Sequence, residues 1–105
     1  MGRTSDKTGG ASARQLVLPA DCRLAAGPGL RAALLEALAQ PASTLDAGAV
    51  ERVDTAALQL LAAFRRDAAA RGHDTRWLGA SAALHEAAGL LGLERILDLP
   101  AARPA

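Results

Sequence analysis

The residues with the clearest chemical logic lie in the run VDTAAL at 53–58. Asp54 is predicted to cap a helix, because its carboxylate can accept hydrogen bonds from the free amides of the next two or three residues. The hydroxyl of Thr55 then lies beside unpaired amides and the positive end of the helix dipole. A phosphate there would add up to about two negative charges without entering the core. Thr55 is therefore a candidate phosphorylation site; the alternative is a plain cap followed by an ordinary first-turn residue.

The other reactive side chains do not form a catalytic or metal-binding pattern. The chain has two histidines, His73 and His85, and one cysteine, Cys22. No serine or cysteine lies in a nucleophile elbow, and a single cysteine forms neither an internal disulfide nor a thiolate metal site by itself. The run GPG at 27–29 lacks the lysine and the glycine spacing of a phosphate-binding loop and indicates a helix-entry turn. We therefore expect a protein that is not an enzyme, with no catalytic residue, metal or cofactor.

Composition and charge narrow the classes of partner. The 105 residues are enough for one domain, and 12 basic against 11 acidic residues give a net charge of +1. Such a balance produces no broad positive electrostatic potential that would attract nucleic acid. The only Phe, Tyr or Trp residues are Phe64 and Trp77, which are too few to form a platform for base stacking. The basic run at 65–71 is interrupted by Asp67 and indicates a solvated helix face. Without a membrane span or a signal peptide in the sequence, we expect a cytoplasmic protein with no direct membrane insertion.

The hydrophobic pattern predicts the elements that position Thr55. Short β-favouring runs predict strands at 15–18, 43–46, 75–78 and 95–99, the last from polar and apolar alternation before a proline. Leucine and alanine at helical spacing, with proline and glycine stop signals, predict helices at 30–40, 55–71 and 82–91. The order β-α-β-α-β-α-β predicts an α/β domain with a mainly parallel or mixed four-stranded sheet and about three helices, chiefly on one face or unevenly on both. Polar residues 1–14 are predicted to be disordered, and residues 101–105 to be a tail.

Three runs give the sequence a resemblance to the STAS domain family, named for sulfate transporters and anti-sigma factor antagonists. They are LDAGAV at 45–50, VDTAALQLL at 53–61 and GLLGL at 89–93. In the family a similar L-D-x-S/G-x-V run ends a strand, and a D-S/T-x-G-L turn opens the central helix with its regulatory Ser or Thr, here Thr55. The family glycine before the helix leucine is Ala57 here, and Arg23 replaces the second acid of the G-E-L-D turn. The resemblance covers about 15 to 99 and implies a non-enzymatic STAS domain over residues 15–100.

The resemblance also implies that the protein binds a partner protein through the start of its central helix. The residues predicted to contact the partner are Asp21, Val53, Asp54, Thr55, Ala56, Ala57, Gln59 and Ala63. One branch of the family implies a serine-kinase anti-sigma factor, released when Thr55 is phosphorylated. A second branch implies a small cytoplasmic subunit bound to the ATPase of a phospholipid-trafficking ABC transporter, with Thr55 unmodified. A ligand-binding module is a third alternative, although no polar cluster in the sequence specifies a small molecule.

Overall fold

The computed structural model describes residues 14–100, in which a three-stranded parallel sheet is packed against helices. The strands are β1 (Arg14–Val17), β2 (Ala42–Ala47) and β3 (Asp74–Ala80), in the order β1-β2-β3. The helices are α1 (Gly29–Leu38), α2 (Thr55–Ala70), α3 (Ala82–Leu91) and α4 (Glu94–Leu97), with a 3-10 turn at Leu24–Ala26. The α/β class and the first six predicted elements are confirmed.

The helices lie on one face of this sheet. Leu16, Leu45 and Trp77 are neighbours across the three strands and point into the core, where Leu45 is fully buried. Side chains alternate between the two faces of a strand, so the residues that follow point away from the helices. Val17 and Leu78 on this second face are 59% and 57% exposed. Of the two expected arrangements, helices chiefly on one face or unevenly on both, residues 14–100 show the first.

Helix α2 is the central element of the core. The helical spacing predicts Ala57, Leu61, Phe64 and Ala68 on one face, and the structure buries these four together with Leu58 and Ala62. The helix contacts α1, α3, α4 and β3. It ends where Gly72 adopts a φ of 73°, a left-handed conformation that glycine reaches without the steric penalty of a side chain. Packing on all these neighbours fixes the position and direction of α2, and with them the position of its first residue.

The predicted fourth strand at 95–99 is wrong, because this segment contains the helical turn α4. The amide of Leu97 donates to the carbonyl of Leu93 at 3.0 Å, which is helical spacing. Leu93 and Leu97 lie four residues apart and both pack on the core, so burial follows the helical period and not the alternation of a strand. The indole Nε1 of Trp77 donates to the carbonyl of Leu97 at 2.9 Å. That bond satisfies one of the carbonyls that a helix end leaves unpaired.

Smaller differences concern the boundaries. Strand β1 begins at Arg14, the last residue of the segment predicted to be disordered; the rest of that prediction, like the tail at 101–105, lies outside the described residues. The spacing in α3 predicts an apolar stripe of Leu84, Ala87, Ala88 and Leu91; Leu84 and Ala88 are buried and Ala87 is half-buried, whereas Leu91 is exposed. Across residues 14–100 no helix has the length and hydropathy needed to cross a membrane.

Candidate functional site

Thr55 lies at the edge of the sheet where all three strands end. Parallel strands bring their carboxyl ends to one edge, so the segments that follow them are neighbours. Two backbone hydrogen bonds join these segments: the amide of Leu18 donates to Asp46 at 2.9 Å, and the amide of Ser81 donates to Ala47 at 3.0 Å. The connection from β2 to α2 leaves the sheet at this edge and delivers Thr55 to it.

A short backbone pairing holds the segment after β1 against the segment before α2. The carbonyl of Ala20 accepts hydrogen bonds from the amides of Glu51 at 2.8 Å and Arg52 at 2.9 Å. The amide of Cys22 donates to the carbonyl of Arg52 at 2.8 Å. The pairing places Asp21 beside the start of α2, although the two are more than thirty residues apart in the sequence.

Asp54 fixes the start of α2 and joins it to the 3-10 turn. Its Oδ1 accepts hydrogen bonds from the amides of Ala57 at 2.9 Å and Leu24 at 3.1 Å, and its Oδ2 accepts one from the amide of Ala25 at 3.2 Å. The first bond is the predicted helix cap; the other two tie α2 to the chain 29 and 30 residues earlier. These amides, with Ala57 foremost, stabilise the ionised carboxylate and lower the pKa of Asp54.

Asp21 and Arg23 form a two-pronged ion pair next to this cap. The guanidinium Nε of Arg23 donates to Oδ1 of Asp21 at 2.8 Å, and Nη2 donates to Oδ2 at 2.9 Å. These side-chain hydrogen bonds are the main reason that the pKa of Asp21 falls to about 2. Because Arg23 neutralises its charge, Asp21 does not make the surface on this side of Thr55 acidic.

Cys22 lies beneath the same segment and is part of the core. Its side chain is buried, and a free cysteine in such a position packs as a small hydrophobe. Burial, together with the nearby carboxylates of Asp54 and Asp21, raises the pKa of the thiol to about 11. A thiol that stays protonated at neutral pH is a poor nucleophile and a poor metal ligand.

The structure brings together most of the residues predicted to contact a partner. Thr55, Ala56 and Gln59 are exposed on the first turns of α2, and four others are half-buried around them: Asp21, Val53, Asp54 and Ala63. Ala57 is 0% exposed, so its methyl group packs in the core and is not accessible to a partner. No described residue forms a hydrogen bond with the hydroxyl of Thr55, which leaves this group available at the surface.

Helix α3 adds a part of this surface that sequence reasoning missed. A groove of about 430 Å³ separates α3 from the segment before α2. Its walls are Arg23, Glu51, Arg52 and Val53 on one side and Ala83, Glu86, Ala87 and Leu90 on the other. Leu90 is 81% exposed, an unusual position for a leucine beside a groove. The signal in the sequence is the doublet at 90–91, because two adjacent leucines of a helix cannot both lie on one narrow apolar stripe; in the structure both are exposed.

Within residues 14–100 no group of three or more His, Cys, Asp and Glu side chains is placed to hold a metal ion. His85 lies on α3, where its Nε2 forms a hydrogen bond with the carbonyl of Pro100 and so fixes the end of the described chain. His73 lies just before β3, beyond the C-terminal end of α2 and therefore at the opposite end of that helix from Thr55.

Comparison with known families identifies the class of protein. A family model described as "Mlab, STAS domain" matches residues 8–99, which is most of the chain. The chain therefore belongs to the STAS domain family. No curated protein and no solved structure matches it. Membership indicates a regulatory or partner-binding role, because STAS domains are generally non-enzymatic domains that mediate interactions between proteins.

Proposed function

We propose that this protein is a regulatory module that binds another protein through the Thr55 edge, defined here as the exposed first turns of α2 with the adjoining segments around Asp21 and Val53. The observation that carries the proposal is the position of Thr55. Its side chain is exposed at the first residue of a helix whose start Asp54 holds with three backbone hydrogen bonds. A preorganised surface of this kind loses little conformational entropy on binding, which favours affinity.

The small side chains around Thr55 support close approach of a partner. Ala56 and Ala63 carry no long side chain that would have to be ordered, and Gln59 supplies both a donor and an acceptor. The groove beside α3 extends the surface and adds Leu90 as an apolar anchor. Together these features provide an apolar contact area with a polar rim, the usual anatomy of a protein interface.

A negative charge at Thr55 is expected to weaken binding without unfolding the protein. The first turn of a helix tolerates negative charge, since its unpaired amides and dipole stabilise an anion there. In a complex, the same charge would have to be desolvated against the partner, which costs well over the 1.4 kcal/mol that corresponds to about a tenfold loss of affinity. Phosphorylation of Thr55 would therefore act as a release signal.

Two kinds of partner fit this surface. The first is a serine-kinase anti-sigma factor, for which phosphorylation of Thr55 is the switch. The second is the ATPase of a phospholipid-trafficking ABC transporter, to which the protein would be bound constitutively. The ion pair between Arg23 and Asp21 favours the second, because it removes the acidic character that antagonists of the first kind present to their kinase.

The test compares two glutamate variants in affinity capture from the native cells. Thr55→Glu places a charge on the first turn of α2, and Ala32→Glu places the same charge on the exposed first turns of α1, away from the Thr55 edge. We expect Thr55→Glu to lose its main partner by at least tenfold, as measured by binding of the purified pair, while Ala32→Glu binds like the wild type. Equal binding by wild type and Thr55→Glu would refute the proposal.

Mass spectrometry of the captured wild-type protein then separates the two kinds of partner. A kinase-like protein recovered together with phosphate on Thr55 would establish the release switch. An ATPase and a permease recovered with Thr55 unmodified would make this protein a constitutive transporter subunit.

A further inference from the structure

A second surface lies at the other half of α2 and is built from residues that are distant in the sequence. It is a groove of about 480 Å³ between the second half of α2, the start of β3 and α4. We call it the arginine groove, and define it by Arg65, Arg66, His73, Thr75, Arg95 and Asp98. Arg65 lies ten residues beyond Thr55, which is about 15 Å along the helix axis, so the two surfaces do not depend on each other.

Arg65 forms the floor of the arginine groove. Its side chain is only 14% exposed, and its Nη1 donates to the carbonyl of Thr75 at 3.0 Å and to the hydroxyl of the same residue. Its Nη2 lies 3.7 Å from Oδ2 of Asp98, too far for a hydrogen bond. A guanidinium has five donors, so Nε and Nη2 keep three that have no acceptor among residues 14–100. A largely buried cation with unused donors is a strong point of attraction for an anion.

Two further arginines and a histidine line the walls. Arg66 and Arg95 are exposed, and neither has a hydrogen bond or ion pair with any other residue of the described chain. The Nδ1 atom of His73 is sealed from solvent and has no hydrogen-bond partner within residues 14–100. Buried polar atoms in folded proteins are nearly always paired, so this unpaired nitrogen is unusual, but because it is sealed from solvent it does not itself face the open groove.

The charges in the groove do not cancel. Asp74 is paired with Arg76, whose Nε lies 3.1 Å from Oδ2, and Asp98 is 82% exposed with its carboxylate held only loosely by Arg65. Three arginines therefore line the groove together with two acids, Asp74 and Asp98, and Asp74 is already neutralised by Arg76, which lies outside the groove. By itself the run at 65–71 is a solvated helix face; the fold adds Arg95 and His73 and closes it into a cationic groove.

We propose that the arginine groove binds a small phosphate-bearing anion. Guanidinium groups recognise phosphate through paired, charge-assisted hydrogen bonds, and several of them can share the oxygens of one phosphate. The lining has no Phe, Tyr or Trp side chain, and its only apolar residues are Ala69 and Ile96, so recognition is directed at the charged group and not at a base or an acyl chain. The groove is distinct from the Thr55 edge and goes beyond the docking function proposed for it.

The test measures binding of inorganic phosphate and pyrophosphate to the full chain by NMR titration, with chloride at equal ionic strength as the reference. We expect saturable shifts of the amides of residues 73–75 and 94–98, with pyrophosphate the tighter ligand because it reaches more of the three arginines. Shifts that chloride reproduces, or that do not saturate, would overturn the proposal.

Three charge-neutralising variants sharpen this test. Arg66→Gln and Arg95→Gln each remove one exposed wall residue, and we expect each to weaken pyrophosphate binding roughly tenfold, the usual effect of losing one charge-assisted contact. Arg31→Gln removes an exposed arginine of α1 outside the groove and should bind within about twofold of the wild type. Unchanged binding by both wall variants would show that the anion does not bind in the groove. An equal loss of affinity in Arg31→Gln would show that the attraction depends only on net charge, and either result would refute the proposal. Neither result bears on the Thr55 edge.

Discussion

The indole of Trp77 supplies the sharpest test of how the end of the domain is held. Its Nε1 donates at 2.9 Å to the carbonyl of Leu97, a fully buried residue of α4 that the alternation in the sequence had assigned to a strand. Trp77→Phe removes this hydrogen bond while keeping an aromatic ring on the core face of β3. The variant therefore measures what the tie between β3 and α4 contributes to stability.

The structure allows the magnitude to be worked out. Loss of the hydrogen bond costs about 1 kcal/mol, because the Leu97 carbonyl keeps no other donor of this kind at the helix end. Reducing the indole of Trp77 to a phenyl ring removes roughly 40 Å³, which at about 24 cal/mol per Å³ of enclosed cavity adds at most about 1 kcal/mol, because Trp77 is only partly buried. The free energy of unfolding should thus fall by about 1–2 kcal/mol, and the thermal midpoint by roughly 4–16 °C for a domain of this size.

The assay is urea unfolding followed by far-ultraviolet circular dichroism, since Trp77 is the only tryptophan and its fluorescence disappears with the substitution. Leu78→Ala is the matched control, because the next residue of β3 points to the exposed face and should change stability by no more than about 0.5 kcal/mol. Hydrogen exchange at the amide of Leu97 gives a local measure, and its protection should drop in Trp77→Phe. A Trp77→Phe variant within about 0.5 kcal/mol of the wild type would refute the argument that this bond holds α4.

Two other predictions concern the start of α2 and the end of α3. The lowered pKa of Asp54 means that its contribution to stability is complete above the ordinary aspartate pKa of about 4 and is lost as the pH falls below it. Asp54→Asn, followed by urea unfolding across this range, should therefore be less stable than the wild type at neutral pH and lose less stability on acidification; a parallel pH profile would contradict the role of the carboxylate. Gly92 has a φ of 69°, so Gly92→Ala should cost about 1–2 kcal/mol. Gly89 lies within the helix, and a Cβ added there would be 3.5 Å from Oε2 of Glu94, an ordinary contact, so Gly89→Ala should instead stabilise the protein by about 0.5–1 kcal/mol. Thermal unfolding compares the two variants, and a change of stability in the same direction for both would contradict this argument.

The candidate site was predictable from the sequence as far as local rules reach. The cap by Asp54 and the exposure of Thr55 follow from interactions within one helical turn, and the structure confirms both. The sequence places Ala57 both on the apolar face of α2 and among the predicted partner contacts, and only the packing of α2 on its neighbours decides that it is buried. The contribution of Leu90 was missed because only the packing of α3 decides that both leucines of the doublet are exposed, with Leu90 beside the groove.

The three runs at 45–50, 53–61 and 89–93 are enough to indicate the family. Local patterns predict the order of the first six elements and the start and end of α2. Those features depend on periodicity, on caps and on stop residues, all of which act over a few neighbouring positions. The tertiary structure alone decided that residues 94–97 are helical, because a five-residue alternation is weaker than the burial of Leu93 and Leu97 on one side of a turn. It also decided that Arg95 and Arg65, which are thirty residues apart in the sequence, line the same groove. Such contacts depend on how finished elements pack together, and no local pattern in the sequence records that packing.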